Sequence, residues 1–192
     1  MTVPSIKGTA FQSVVDDIQG VLDAGRLSRE ELEARLTGED LEILDGKVNP
    51  TSWYPIDTYK RAVEVLARKL APLRTEEYLV ERGVKAAERL ASLGIYSQLE
   101  ATSEHMGVRV GKVIVTISRA IYNFTSFHYE PGDDGVSFSI RVEDAAAFPE
   151  ATRFATQGFV EYVASRAAGY AMHVTSERPS PDVVVYRARQ SA

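Results

Sequence analysis

The chain contains three histidines, His105, His128 and His173, and no cysteine, so acid–base and metal chemistry must be sought among few side chains. A zinc-type site needs several such residues converging, with carboxylates completing the shell. The histidine separations fit no short ligand motif, and neither a metal nor another cofactor is expected. His128 and His173 both fall in segments of strand character, where a shared sheet face would make a proton-sensitive pair. Ordinary surface or half-buried histidines satisfy the same pattern. Glu100, Glu104 and His105 form a polar cluster ahead of a helical run. If that stretch is helical, the two carboxylates share a face, but acid–base work requires one of them to be shifted by burial. A solvated face is the simpler account. No serine stands in a nucleophile-elbow context and no glycine-rich phosphate loop is present, so no catalytic set converges and no enzyme is expected.

The densest aromatic feature is Asn49-Pro50-Thr51-Ser52-Trp53-Tyr54-Pro55-Ile56-Asp57-Thr58-Tyr59, which holds the sole tryptophan. The two prolines disfavour helix in the residues before them, so this segment is an extended lead-in to a helix opening at Pro55. Asp57 then meets the positive end of the helix dipole, and Asp57 with Arg61 makes an i,i+4 ion pair. Trp53 and Tyr54 are read either as rings lining an apolar ligand pocket or as a plug beside the helix start. With Tyr59, Phe124, Phe127 and Phe159 they make the candidate ligand-pocket set.

The surrounding periodicities predict the elements that position these residues. Phe11, Val14, Val15, Ile18, Val21 and Leu22 recur at helical spacing over about 9–22, and Gly25 stops that run. Ser28-Arg29-Glu30-Glu31 is a capping-box pattern, and Thr37-Gly38-Glu39-Asp40 starts a further turn. A helix after Pro55 carries Ile56, Tyr59, Val63, Leu66 and Leu70 on one stripe. Another starts at Thr75 and runs to Gly94 through Gly83, whose propensity cost of about 1 kcal/mol would be offset by close approach of a second helix. A fifth covers 108–121. Alternation then takes over: two strands meet across Pro131–Gly135, a helix opens at Pro149 with Phe154, Gly158, Phe159, Tyr162 and Val163 inward, and two last strands flank Arg178-Pro179-Ser180-Pro181. The order is a helical half followed by hairpin, helix, hairpin, which predicts an α+β fold with a small antiparallel sheet covered by helices.

At 192 residues, 44% hydrophobic and 26% charged, the composition is that of a globular protein, with a single domain over 1–192 expected. A net charge of −5 disfavours nucleic acid or an anionic membrane as partner. No apolar run suits membrane insertion and the first residues do not read as a signal peptide, so a cytoplasmic protein is expected.

Three segments, Ile6-Lys7-Gly8-Thr9-Ala10, Ser52-Trp53-Tyr54-Pro55 and Arg82-Gly83-Val84-Lys85-Ala86-Ala87, occur in that order. Through them the chain resembles, over nearly its whole length, a family of similarly sized proteins expanded in myxobacteria. That family looks distantly related to 4-vinyl-reductase-type small-molecule-binding domains, and more distantly to haem–nitric-oxide-binding domains and TRAPP vesicle-tether subunits. In this superfamily the final hairpin commonly carries a Cys…Gly-Asp…Cys pattern; here the place reads Ser176-Glu177-Arg178-Pro179-Ser180-Pro181-Asp182. The haem-binding relatives share a Tyr-x-Ser-x-Arg set that holds propionates. This chain has Tyr162-Val163-Ala164-Ser165-Arg166, one residue out of register, so haem is not carried over.

The resemblance implies a non-enzymatic sensor or regulatory adaptor with an apolar pocket between helices and sheet, binding a small apolar ligand or a protein partner. A pure interaction module with a core filled by side chains is the alternative. Relatives tend to pair through their helices, which implies a homodimer. Tyr78, Arg82, Gly83, Ala86 and Ala87 are its candidate interface; interior packing is the other role open to the small residues among them.

Overall fold

The computed structural model describes residues 3–92 and 106–191. Its elements are β1 (Ser5–Lys7), α1 (Gly8–Asp23), α2 (Arg29–Glu33), α3 (Gly38–Asp45), β2 (Trp53–Pro55), α4 (Ile56–Leu70), α5 (Thr75–Ser92), α6 (Met106–Ile121), β3 (Ser126–Pro131), β4 (Phe138–Glu143), a 3-10 turn at Ala145–Ala147, α7 (Glu150–Ala168), β5 (Met172–Ser180) and β6 (Val183–Gln190). The α+β class and the order hairpin, helix, hairpin after a helical half are as the periodicities predict. Packing separates the chain into two compact units, Met1–Thr75 with Ala120–Phe124, and Glu76–Arg119 with Thr125–Ala192.

In the first unit, α1 presents Phe11, Val14 and Ile18 inward, and these join Ile6, Leu32, Ile56, Val63 and Leu66 in a core at most 3% exposed. α1 and α4 pack together. The capping box expected at Ser28 forms, the Ser28 hydroxyl accepting from Glu31 N while the Glu31 carboxylate accepts from Ser28 N; Thr37 and Asp40, expected only to start a helical turn, make the same exchange. Pro55 caps α4, which starts at Ile56 with Asp57 in its first turn. The extended lead-in does more than enter the helix. Trp53–Pro55 pairs antiparallel with Ser5–Lys7, a two-stranded sheet that three-residue strands are too short to announce by alternation. Ile6 also bridges Tyr122, and Asn123 fastens that segment by accepting from Ser5 N at 2.8 Å.

In the second unit, four antiparallel strands run in the order β3-β4-β6-β5. Phe138, Ile140 and Val142 alternate inward along β4, as the period of two requires. The pattern on α7 differs from expectation. Ala151, Thr152, Gly158, Val160, Val163 and Ala164 are its buried residues, while Phe154, Phe159 and Tyr162 are half-buried. α7 contacts β5 and β6 on one side and crosses α5 on another, so it has no single apolar stripe. At that crossing, a Cβ added to Gly83 would overlap the Ala155 carbonyl, and one on Gly158 would overlap the Val80 carbonyl. The two glycines let the helix backbones touch, which offsets the propensity loss at Gly83.

Candidate functional site

The aromatic lead-in and the helix it opens are the first place to look for a ligand. Successive residues of a strand face opposite ways, so on β2 the neighbours Trp53 and Tyr54 part company. Tyr54 turns inward, its ring stacked on Phe11 at 5.2 Å between centroids, and its hydroxyl accepts from Asn49 N at 2.7 Å. Tyr59, on α4, reaches the same Phe11 ring at 6.2 Å. Phe11 is fully buried, and Tyr54 and Tyr59 are half-buried. Trp53 turns outward and is 41% exposed. Its cross-strand partner is Lys7, whose ammonium sits 4.3 Å above the indole, a cation–π contact. The plug is therefore Tyr54 alone, and the expectation that Trp53 packs with it is corrected by the pleat.

The remaining members of the aromatic set are distributed between the units. Phe124 belongs to the first, edge-on to Tyr122 at 6.0 Å. Phe127 and Phe159 belong to the second. Phe127 is 1% exposed and edge-on to Phe148 at 6.1 Å, and Phe159 is half-buried at the α5–α7 crossing. The ring that gathers Tyr54 and Tyr59 is Phe11, which the helical period marks only as one more core position.

The strongest electrostatic feature of the first unit is a carboxylate that the sequence reading treats only as part of a helix start. The Asp40 side chain is 1% exposed. One of its oxygens accepts from Thr58 Oγ1 at 2.6 Å and Arg61 Nη2 at 2.8 Å, the other from Arg61 Nε at 2.7 Å and Thr37 N at 2.9 Å. Burial works against the ionised form, but hydrogen bonds from Arg61, Thr58 and Thr37 outweigh it and hold Asp40 far below the usual carboxylate range. Arg61 thus pairs with Asp40 rather than with Asp57 as the i,i+4 spacing suggests. A buried acceptor that takes the fork bidentately prevails over an exposed one on the same helix. Beside this pair, Arg35, Arg61, Glu64, Val65 and Arg68 line a surface cleft.

The histidines do not form a pair. His128 is on β3 and His173 on β5, the two outer strands of the four-stranded sheet. Each side chain is half exposed beside a glutamate, His128 at 3.5 Å from Glu143 and His173 at 3.7 Å from Glu161. Strand order, which periodicity does not encode, separates them. Glu100, Glu104 and His105 lie outside the described residues. Among the described residues no group of histidine and carboxylate side chains is arranged to hold a metal ion.

Of the candidate interface, Gly83 and Ala87 are buried, and Gly83 lies against α7 of the same chain. Gly83 thus serves a close helix approach within the chain, and Ala87 is buried on the same helix. Tyr78, Arg82 and Ala86 are half-buried on α5, with Arg82 Nη1 donating to the Tyr78 hydroxyl at 3.2 Å.

Both described histidines are on exposed strand positions. Ser165, from the out-of-register Tyr162–Arg166 segment, accepts from Met172 N at 2.9 Å and so joins α7 to β5, and Arg166 is exposed. In the final hairpin the Arg178 guanidinium donates to Glu150 and to the carbonyls of Ala145, Phe148 and Pro181.

No protein-family model matches the chain, and no curated protein matches it. Solved structures do. An H-NOX protein from S. oneidensis in the Fe(II)NO ligation state is 13% identical with a TM-score of 0.63, over 97% of this chain and 100% of that one. A mutant of T. tengcongensis H-NOX is 12% identical with a TM-score of 0.61, over 97% of this chain and 98% of that one. A Cs H-NOX mutant carrying 4-cyano-L-phenylalanine is 11% identical with a TM-score of 0.62, over 97% of both chains. At such identities the likeness establishes a shared backbone: this chain has an H-NOX-like α+β fold.

Proposed function

We propose that this chain is a non-enzymatic, small-molecule-sensing regulatory domain whose guest is apolar. The observation that carries the reading is the likeness, over 97% of the chain, to H-NOX proteins, one of them solved in an Fe(II)NO ligation state. The ring cluster of Phe11, Tyr54 and Tyr59 in the first unit supports an apolar guest, since buried rings with a polar handle suit such ligands. A homodimer working through the exposed parts of its helices completes the proposal.

Native mass spectrometry of the purified protein is expected to show bound mass that is lost on denaturation. Titration with a doxyl-labelled fatty acid is expected to quench Trp53, which adjoins Tyr54 on β2 and is the only indole. Absence of both signals would overturn the reading. A haem Soret band developing on addition of haemin would replace the apolar guest by haem. The half-exposed Trp53 under Lys7 favours, as second reading, a protein interaction module without a ligand. In that case Trp53→Ala abolishes partner capture while both ligand experiments stay negative.

A further inference from the structure

The geometry points to an oxyanion-binding cleft in the first unit, lined by Arg35, Arg61, Glu64, Val65 and Arg68, that accepts a phosphate group, free or as a small phosphomonoester. Arg61, Glu64, Val65 and Arg68 recur at helical spacing on α4 and so share one face. Arg35 comes from the turn after α2. The cleft volume is about 50 Å³, several times the roughly 10–15 Å³ that one water needs. It is well below the roughly 300–1,000 Å³ of pockets that take drug-sized molecules. One tetrahedral anion fits such a space, with the remainder of an ester left in solvent.

The cations differ in how they are engaged. Arg61 is held in place because its Nε and one Nη2 hydrogen are bound by Asp40, which leaves its Nη1 hydrogens for a ligand in a planar, preset orientation. Arg35 and Arg68 are exposed and make no side-chain hydrogen bond or ion pair among the described residues, although Glu31 lies within electrostatic reach of Arg35. Nearby, Arg29 is already satisfied by Glu33 and Asp45, and Lys69 by Glu31. The guanidinium groups of Arg35 and Arg68 are thus open to a ligand where they line the cleft. Guanidinium forks match phosphate oxygens. Glu64 is the opposing charge. Its carboxylate repels a fully deprotonated anion but accepts a hydrogen bond from a P–OH, so the cleft favours hydrogenphosphate over sulfate, which has no such proton.

The test is calorimetric titration of the full chain with inorganic phosphate, sulfate and glycerol phosphate, with amide NMR to locate the response. Saturable phosphate binding is expected, with amide shifts clustered at Arg35 and along Arg61–Arg68, and weaker sulfate binding. The double variant R35Q/R68Q removes exposed side chains and should keep the wild-type unfolding curve while weakening phosphate by about tenfold or more. E64Q should strengthen sulfate more than phosphate. A tighter glycerol phosphate isotherm identifies an ester as the ligand; equal or tighter inorganic phosphate identifies the free anion. Absence of saturable binding, or an R35Q/R68Q isotherm matching wild type, overturns the proposal.

Discussion

The two compact units hold their elements together by different means. In the first, the strands among the described residues are three residues long, and helices that share no backbone ladder are joined through side chains: Asp40 with Arg61 and Thr58, Arg29 with Asp45, Lys69 with Glu31. In the second, a four-stranded ladder satisfies the backbone and two glycines let α5 and α7 meet directly. Polar side chains there play a supporting part, as when Arg153 donates to Ser176 and Glu161 accepts from Val174 N. A ladder fixes register through groups that every residue carries, whereas joining helices requires particular side chains at particular positions. The first unit should therefore be sensitive to charge and pH, the second to volume.

The largest expected effect is on the volume side. Gly83→Val puts a branched side chain where even a Cβ overlaps the Ala155 carbonyl, and a loss of about 3 kcal/mol in urea unfolding is expected. A loss below about 1 kcal/mol would show that the crossing can relax. Next is the charge side. Arg61→Met leaves the Asp40 carboxylate buried without its cation. About 2–3 kcal/mol should be lost, below the range for a wholly buried pair because Arg61 is itself 36% exposed.

The same pair sets a pH dependence. Asp40 has its pKa depressed on folding, so its contribution is complete above the unfolded carboxylate value of about 3.9 and is lost progressively as pH falls below it. Asp40→Asn should flatten the acid limb of the stability profile. An unchanged slope would remove Asp40 from the comparison. The smallest effect belongs to the exposed helix α2, where Ser28→Ala breaks a capping box at a loss of about 1 kcal/mol or less.

Local chemistry was the legible part of this fold. The capping box at Ser28, the helix start at Thr37, the helix opening at Pro55 and the alternation of β4 all follow from neighbours in the chain. Features decided by distant residues were not legible. Ser5–Lys7 and Trp53–Pro55 show their pairing in neither segment alone, and Arg61 had a plausible partner four residues away while the real one is Asp40. The helical α7 disguised its packing because it is covered on more than one side. Of the candidate site, the residue types around Pro55 single out Tyr54 and Tyr59, whereas nothing in that segment marks Phe11 as the ring on which they meet. The cleft beside Arg61 has no local signature because its arginines come from α4 and a turn some thirty residues earlier.

The outer strand β5 bears on how the protein behaves at high concentration. An unpaired strand margin is a template on which another molecule can add, the first step toward fibrils. Here regular pairing with β6 runs only from Met172 to Glu177 before a bulge, and Pro179 beyond it offers no N–H. On the opposite margin β3 likewise finishes at Pro131. Intermolecular strand addition therefore meets an interrupted, proline-marked border on either side, and assembly by that route is disfavoured without any charge repulsion being required.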